Sequence, residues 1–458
     1  MGKISFTERE IQDYIWSNRE SFDSFLDEPV GLDIFKFEDD LSNVSAQNLI
    51  RNRINKKLEE FHAKLYSIKL IGCEVPLEQQ SNSTIRADFL ATFPGDTGVG
   101  IIELKKSEQT ERQAFTELLA YSNHLTTLFP AMSREDSVYI LISPIETRIA
   151  RDAVIQTLTF DNRKIVALIP YFDDPSNIAS LRLKLWIPTD NELATFSHVI
   201  FKEDNFSVCK IVWEYDEERW DAPKGENPSA ELREQFNSIS TIAAQKMEES
   251  GIHGFVYCSQ LWSELSEKFP YTNSLVLVGL NPYAAASAQY LVDNKKIKPS
   301  EIPAPLNYLP NICDLIKKGV PRDDNEDTMF DLYSVWSSQL FIIGRSVVEA
   351  VTQTTDGKKG DIDQGFLDWE EYQRSLLEDV YCHNFLVRPT GLLRRLYEDV
   401  TDLDYKASHF YGLTEHPIHG DMPYLGVDYL TSQSYFRFFI RRMFHTDEAE
   451  LAGSISEA

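Results

Sequence analysis

The chain has 458 residues, of which 42% are hydrophobic, and its formal net charge is −27 at pH 7. This length exceeds what one hydrophobic core usually supports, so we expect two or three domains. No apolar run approaches the ~20 residues that a membrane-spanning helix needs, and the N-terminus lacks the apolar core of a signal peptide. These features argue against a membrane protein and predict a cytoplasmic location.

The N-terminal part divides into an acidic segment and a basic helix. Residues 1–44 are interpreted as a helical segment, and the first 40 residues carry 11 acidic and 4 basic side chains. The next helix, predicted over residues 47–66, carries basic side chains that are candidates for tracking a phosphate backbone. The alternative is a solvated basic face that balances acidic neighbours. The nucleic-acid-binding candidates are Arg51, Arg53, Lys56 and Lys57, together with Lys106 further along the chain.

A predicted β-hairpin is the most informative segment. Residues 84–93 form an apolar, aromatic run that ends at a turn signal, and residues 99–105 form a second run. If the loop has four residues, Phe93 pairs with Gly98 and Asp88 lies opposite Glu103, about 5 Å away. A five-residue loop would turn Asp88 to the other face of the sheet. Strand alternation places Glu103 and Lys105 on one face.

Two carboxylates at this separation repel each other unless a cation neutralises them. Oxygen ligands suit Mg²⁺ or Mn²⁺, which polarise a phosphate and make a bound water more acidic. The ammonium of Lys105 would orient that water or stabilise the charge that develops on the phosphate. The hairpin therefore predicts phosphodiester hydrolysis.

Asp88 followed by Glu103-Leu104-Lys105 resembles the PD-(D/E)XK, or restriction-endonuclease-like, nuclease superfamily. The resemblance covers roughly residues 45–190. It implies that Asp88 and Glu103 bind the metal together with the carbonyl group of Leu104, and that Lys105 serves the attacking water. A lone Glu-x-Lys on an ordinary surface strand is the alternative interpretation.

The helix predicted from residue 109 to about 125 carries Gln113, Glu117 and Tyr121 at i, i+4 and i+8, on one face. These three are further candidate catalytic residues. The arrangement is similar to the QxxxY helix of the RecB-like branch, but Gln and Tyr are eight residues apart here instead of four. An ordinary helix flank with a buried tyrosine is the alternative. Glu59 or Glu60 is a candidate for a further acid.

Strands and helices alternate through the rest of the first half, with strands predicted over residues 137–143 and 164–170 and a helix between them. The expected fold class is α/β, with a restriction-endonuclease-like mixed sheet flanked by helices and a second, mainly helical domain. We expect a nuclease-like domain over residues 45–215, a linker over 216–230, a mainly α domain over 231–445 and an acidic disordered tail over 446–458.

The predicted C-terminal domain has no catalytic motif. It contains one buried strand over residues 274–280 and amphipathic stretches over 328–352, 366–381 and 427–444. Its arginines would form a phosphate-binding or partner-binding surface, or would pair with the abundant acids. These residues are Arg388, Arg394, Arg395, Arg437, Arg441 and Arg442.

Other metal or disulfide chemistry has weak support. The five cysteines, Cys73, Cys209, Cys258, Cys313 and Cys382, are scattered and predict reduced thiols. His416 and His419 with Asp421 have a compact spacing that suits zinc, but they lack a second ligand cluster, and a polar loop is the alternative.

The net charge is the main objection to a nucleic-acid enzyme, because an acidic surface repels phosphate. Residues 41–200, however, carry 17 basic and 19 acidic side chains and are nearly neutral. The leading hypothesis is a Mg²⁺-dependent DNA endonuclease, with defence against foreign DNA as a family analogy and a protein partner or a homo-oligomer expected through the C-terminal domain. One alternative is a non-catalytic acidic interaction protein on a nuclease fold. Another is a repair-type nuclease of single strands, ends or RNA.

Overall fold

The structure is a computed structural model of the full chain. The residues it describes, to which every structural statement below refers, are 5–36, 45–76, 86–94, 98–133, 136–193, 201, 205–214, 222–266, 268–269, 271–284, 328–352, 361–367, 369, 371–372, 381–411 and 432–444. The chain forms a mixed α/β protein with two sheets flanked by helices. It divides into two compact units: Met1–Phe35 with Ile50–Glu192, and Lys36–Leu49 with Leu193–Ala458.

The first unit contains a six-stranded mixed sheet whose spatial order follows the chain. Its central strands β3, β4 and β5 run parallel, whereas β1, β2 and β6 pair antiparallel with their neighbours. The strands are β1 (Lys69–Pro76), β2 (Arg86–Thr92), β3 (Val99–Leu104), β4 (Ser137–Ile142), β5 (Lys164–Phe172) and β6 (Leu181–Leu185).

Four α-helices accompany this sheet in the described residues of the N-terminal half. They are α1 (Glu8–Ser17), α2 (Ala46–Leu65), α3 (Glu108–Leu128) and α4 (Arg148–Thr159), with 3₁₀ turns at Arg19–Phe25 and Ile178–Ser180. A capping box starts α1, because Thr7 accepts a hydrogen bond from the Glu10 backbone N–H and the Glu10 side chain accepts one from the Thr7 N–H. The strands and helices predicted between residues 47 and 170 are confirmed within a few residues, whereas the helical segment predicted over 1–44 is helical in the described residues only at Glu8–Ser17 and Arg19–Phe25.

The central strands of the sheet are apolar along almost their whole length because both of their faces are buried. All six residues of β4 are buried, and so are the last five of β3. Parallel strands covered by helices on both faces have no solvated face, so polar alternation disappears. Against this background, the charged Glu103 at the end of β3 is conspicuous.

The second unit also contains a six-stranded sheet, in which strands β7, β8 and β9 form an antiparallel centre. The strands are β7 (Phe206–Trp213), β8 (Gly254–Leu261), β9 (Asn273–Leu280), β10 (Ile362–Leu367), β11 (Cys382–Asn384) and β12 (Arg388–Thr390). The described helices are α5 (Ala230–Glu249), a single turn at Ser263–Ser266, α6 (Thr328–Thr352), α7 (Gly391–Tyr411) and α8 (Gln433–Phe444).

The expectation of a mainly helical second domain with one strand was wrong. Strand β8 was not predicted because it lacks a continuous apolar run. Its buried polar residues pair across the sheet instead: Ser259 with Ser274, and Gln260 with Asn273. The amphipathic stretch predicted over residues 366–381 begins inside strand β10, which ends at Leu367, and residues 368, 370 and 373–380 of that stretch lie outside the described part of the chain. The predicted strand over 274–280 and the helix over 328–352 are confirmed.

The domain boundary falls elsewhere than the sequence analysis placed it. Strand β7 pairs with β9 along its full length, so β7 belongs to the second unit. The main part of that unit begins at Leu193, whereas the predicted boundary was the linker over residues 216–230. The N-terminal residues 1–35 belong to the first unit. Within the described residues, no helix has the length and apolar character needed to cross a membrane.

Candidate functional site

The hairpin of β2 and β3 brings Asp88 and Glu103 to one place. Phe89 pairs with Ile102 and Thr92 with Val99, which is the register that a four-residue loop produces. Asp88 and Glu103 are the next residues along this ladder. The predicted register is therefore confirmed, although residues 95–97 of the loop lie outside the described part of the chain.

Asp88 is fixed through both carboxylate oxygens. The backbone N–H of Leu104 donates to Asp88 Oδ2 at 2.7 Å, which continues the hairpin through a side chain. The side-chain amide of Gln12, on α1, lies 3.4 Å from Asp88 Oδ1 and 3.0 Å from Glu74 Oε1. These contacts point the Asp88 carboxylate toward the end of β3.

Lys105 lies among the acidic side chains. Its Nζ donates to Glu103 Oε1, lies 2.9 Å from Glu117 Oε2 and is 4.0 Å from Glu8 Oε1. Glu103 is 2% exposed, yet its surroundings are charged, because Lys105, Glu117 and Asp88 all act on it. The two acids and the amine of the predicted triad therefore converge.

Helix α3 supplies the remaining predicted residues. Glu117 contacts Lys105 directly, and Gln113 donates its side-chain amide to Glu117 Oε1 at 2.6 Å. Tyr121 is 6% exposed. Burial raises the pKa of its phenol, and the charge of Glu103 adds to the shift. The spacing of i, i+4 and i+8 thus lines up Gln113, Glu117 and Tyr121 beside the hairpin.

The buried acidic groups of the site outnumber its one ammonium, and their pKa values are shifted accordingly. Burial raises the pKa of Asp88 to about 6, against the opposing hydrogen bond from Leu104 N–H. Burial, the charge of Asp88 and contact with Glu117 raise the pKa of Glu103 to about 10. Although burial favours a neutral amine, Glu103 and Glu117 hold the pKa of Lys105 above its ordinary value. Additional positive charge would therefore favour ionisation of Asp88 and Glu103.

Two buried oxygens bear on whether a metal ion fits. Oε2 of Glu103 is buried and receives no hydrogen bond, whereas Oε2 of Glu117, which is also buried, has Lys105 Nζ at 2.9 Å. Across the described residues, no group of three or more His, Cys, Asp or Glu side chains is arranged to hold a metal ion. Lys105 Nζ already contacts Glu103 and Glu117, so Asp88 and the second oxygen of Glu103 are the acceptors that suit a hard divalent cation.

Gln12 and Glu8, both on α1, were not predicted as site residues. A further acid was expected from α2, but Glu59 and Glu60 are exposed there, and Glu60 pairs with Lys64 at 2.8 Å. One feature of the sequence could have identified Gln12: it is a polar residue on the buried face of α1, between Ile11 and Ile15. A glutamine among buried isoleucines needs hydrogen-bond partners, and these partners are at the candidate site.

The basic side chains of α2 make contacts within the first unit. Arg51 pairs with Asp190 at 2.8 Å, Arg53 reaches Asn162 at 3.3 Å, and Lys57 donates to the Leu158 carbonyl and to Asn162. Lys56 is half-buried and Lys106 is exposed. Their role in nucleic-acid binding stays a prediction.

The other candidate metal ligands fall outside what the structure describes. His416, His419 and Asp421 lie in the range 412–431, and Cys313 lies in 285–327. The described cysteines, Cys73, Cys209, Cys258 and Cys382, are free thiols, in agreement with the prediction.

Comparisons with protein-family models, with characterised proteins and with solved structures found no match to this chain.

Proposed function

We propose that the chain is a metal-dependent nuclease that hydrolyses DNA phosphodiester bonds, most simply as an endonuclease. The observation that carries the proposal is the convergence of Asp88, Glu103 and Lys105 at the end of β3. Asp88 and Glu103 would hold Mg²⁺ or Mn²⁺, with the Leu104 carbonyl as the third ligand that the superfamily resemblance implies. Such an ion polarises the scissile phosphate and makes a bound water more acidic.

Lys105 would have an electrostatic role. Glu103 and Glu117 hold the pKa of Lys105 above its ordinary value, which suits a fixed ammonium at Nζ. A fixed ammonium beside the reacting phosphate stabilises the negative charge that develops there. Glu117 and Gln113 hold this ammonium in place from α3.

The fold is compatible with this function. A helix, a three-stranded antiparallel start, a helix and parallel strands β4 and β5 follow each other in the order that the PD-(D/E)XK resemblance implies. DNA as substrate, a role in defence and an oligomer that cuts both strands are extensions of the same resemblance.

The net charge of −27 favours one alternative, a non-catalytic interaction protein that keeps the nuclease fold and binds a basic partner. In that case the buried Lys105 would only balance Glu103 and Glu117. An inert scaffold, however, gains nothing from two acids whose pKa values are raised by burial, since each makes the fold less stable near neutral pH.

The test is incubation of the purified chain with plasmid, linear duplex, single-stranded DNA and RNA, in Mg²⁺, Mn²⁺ or EDTA. We expect plasmid cleavage that requires the metal and falls more than about 100-fold in Asp88→Asn, Glu103→Gln and Lys105→Ala. Cleavage limited to ends, single strands or RNA would favour the repair-type nuclease instead.

The matched control is Asp152→Asn, which removes an exposed carboxylate of α4 that pairs with Arg148. This variant should retain full activity. Equal activity of all variants, or no cleavage of any substrate by the folded protein with either metal, would contradict the proposal.

A further inference from the structure

A polar groove lies in the second unit, along one face of α5. Its volume is about 650 Å³, and α5 residues at helical spacing line it together with Arg388 of β12. Asn237 joins the two walls, because its Oδ1 accepts the backbone N–H of Leu386 at 3.1 Å. The groove is thus built by packing between α5 and the segment that leads into β12.

Two arginines, Arg233 and Arg388, line this groove. Within the described part of the chain, the guanidinium groups of Arg233 and Arg388 form no hydrogen bond or ion pair, and Nε of Arg388 is buried without an acceptor. Arg394 and Arg345 of the same unit, in contrast, pair with Glu248 and Glu349. The chain has 72 acidic and 45 basic side chains, so two arginines at one groove without an acidic partner among the described residues are unusual.

A buried donor without an acceptor costs free energy, so a bound acceptor would stabilise Arg388. The guanidinium fork matches the oxygens of phosphate and carries a fixed positive charge. Glu234 also lines the groove and opposes an anion, but two guanidinium groups outnumber its one carboxylate.

The remaining lining suits the rest of a nucleotide. The hydroxyl groups of Ser238 and Thr241 donate to carbonyls of their own helix and keep lone pairs for a ligand donor. Gln245 offers an amide, and Ile242, 41% exposed, offers an apolar surface for the face of a base. The volume lies within the usual range for small-ligand sites.

We infer that this groove binds a phosphate-bearing ligand of about the size of one nucleotide, with the phosphate on Arg233 and Arg388. The ligand is either a free nucleotide or one nucleotide of a strand. The inference goes beyond the proposed nuclease and does not depend on the Asp88 site.

The experiment measures binding in EDTA, so that cleavage cannot interfere. The probes are deoxythymidine monophosphate by calorimetry, deoxythymidine as the control without phosphate, and a fluorescent oligodeoxythymidylate by anisotropy. We expect the monophosphate or the oligonucleotide to bind with a dissociation constant below about 1 mM. Tighter binding of the oligonucleotide than of the monophosphate identifies a strand as the source, and the reverse identifies a free nucleotide.

The variants are Arg233→Gln and Arg388→Gln, each expected to weaken binding about tenfold or more. Arg388→Lys keeps the charge but loses the fork, so it should weaken binding less than Arg388→Gln does, and an unchanged unfolding temperature of both variants excludes a folding defect. Arg345→Gln is the control and should bind like the wild type. The inference is overturned if neither phosphate probe binds, if deoxythymidine binds equally well, or if the Arg233 and Arg388 variants bind as the control does. Cleavage assays on the same variants report separately on the nuclease proposal.

Discussion

The backbone N–H of Leu104 donates to Oδ2 of Asp88 at 2.7 Å, so a side chain continues the hydrogen-bond ladder of β2 and β3 at its last position. The bond locks the Asp88 carboxylate beside Glu103. It also uses one of the four oxygens of the acid pair, which leaves the orphaned Oε2 of Glu103 as an acceptor for a cation.

Replacing Glu103 by Gln should stabilise the fold while abolishing cleavage. The folded pKa of Glu103, about 10, lies above its ordinary value of 4.5, so its contribution to stability is complete below pH 4.5 and is lost as pH rises toward 10. At pH 8, Glu103→Gln should raise the unfolding temperature by about 2 °C or more in EDTA. Differential scanning fluorimetry measures this, and a lower unfolding temperature would contradict it.

Divalent cations should stabilise the wild type but not that variant. A cation bound by Asp88 and Glu103 in the folded state alone raises the free energy of unfolding by mass action. The measurement is the unfolding temperature against Ca²⁺ or Mg²⁺ concentration, with Asp152→Asn as the control that should respond like the wild type. An equal response in Glu103→Gln would place the bound cation elsewhere.

Gln12 should act as a positioning residue. Its amide reaches both Asp88 and Glu74 while the side chain is only 6% exposed. Groups that orient a metal ligand typically contribute about 10-fold to 100-fold in metal affinity. Gln12→Leu should therefore raise the Mg²⁺ concentration needed for half-maximal cleavage by about that factor. Excess Mg²⁺ should rescue activity, which a global folding defect would not allow. Ser17→Ala, on the exposed end of α1, is the control.

Acidification should destabilise the second unit through His253. Burial, with the charge of Arg395 adding, lowers the pKa of His253 to about 4, and its Nδ1 accepts the backbone N–H of Leu392. Because the unfolded chain binds the proton first, stability is lost as pH falls from about 6.5 to 4, by on the order of 3 kcal/mol. Urea unfolding at several pH values should show a shallower loss in His253→Asn. An identical pH profile would refute this assignment.

Substitution of Gly254 should show that the close approach of β8 to β9 requires glycine at this position. A Cβ added there would lie 1.9 Å from the carbonyl oxygen of Val278, which is backbone and cannot rotate away. Gly254→Ala should lower the free energy of unfolding by about 2 kcal/mol or more. Gly365→Ala, where a Cβ meets no atom within 4 Å, should change it by less than about 0.5 kcal/mol. Urea denaturation of the two variants provides the comparison.

Much of the first unit could be predicted because its signals are local. The turn at Pro94 sets the register of β2 and β3, and the register alone carries Asp88 to Glu103. The i, i+4 and i+8 spacing of α3 likewise placed Glu117 and Tyr121. The second sheet could not be predicted in this way, because β8 buries Ser259 and Gln260 against partners that only the folded chain supplies.

Local sequence patterns were enough to predict which strands pair in the hairpin and which of its side chains share a face, because side chains alternate with period two along a strand and a short loop permits one register. Tertiary structure decided the rest of the site. It brought Gln12 next to Asp88, 76 positions away in the chain, and Glu8 near Lys105, 97 positions away, and it buried Glu103 enough to raise its pKa to about 10. Desolvation and long-range contacts depend on the packed chain, so no local pattern records them.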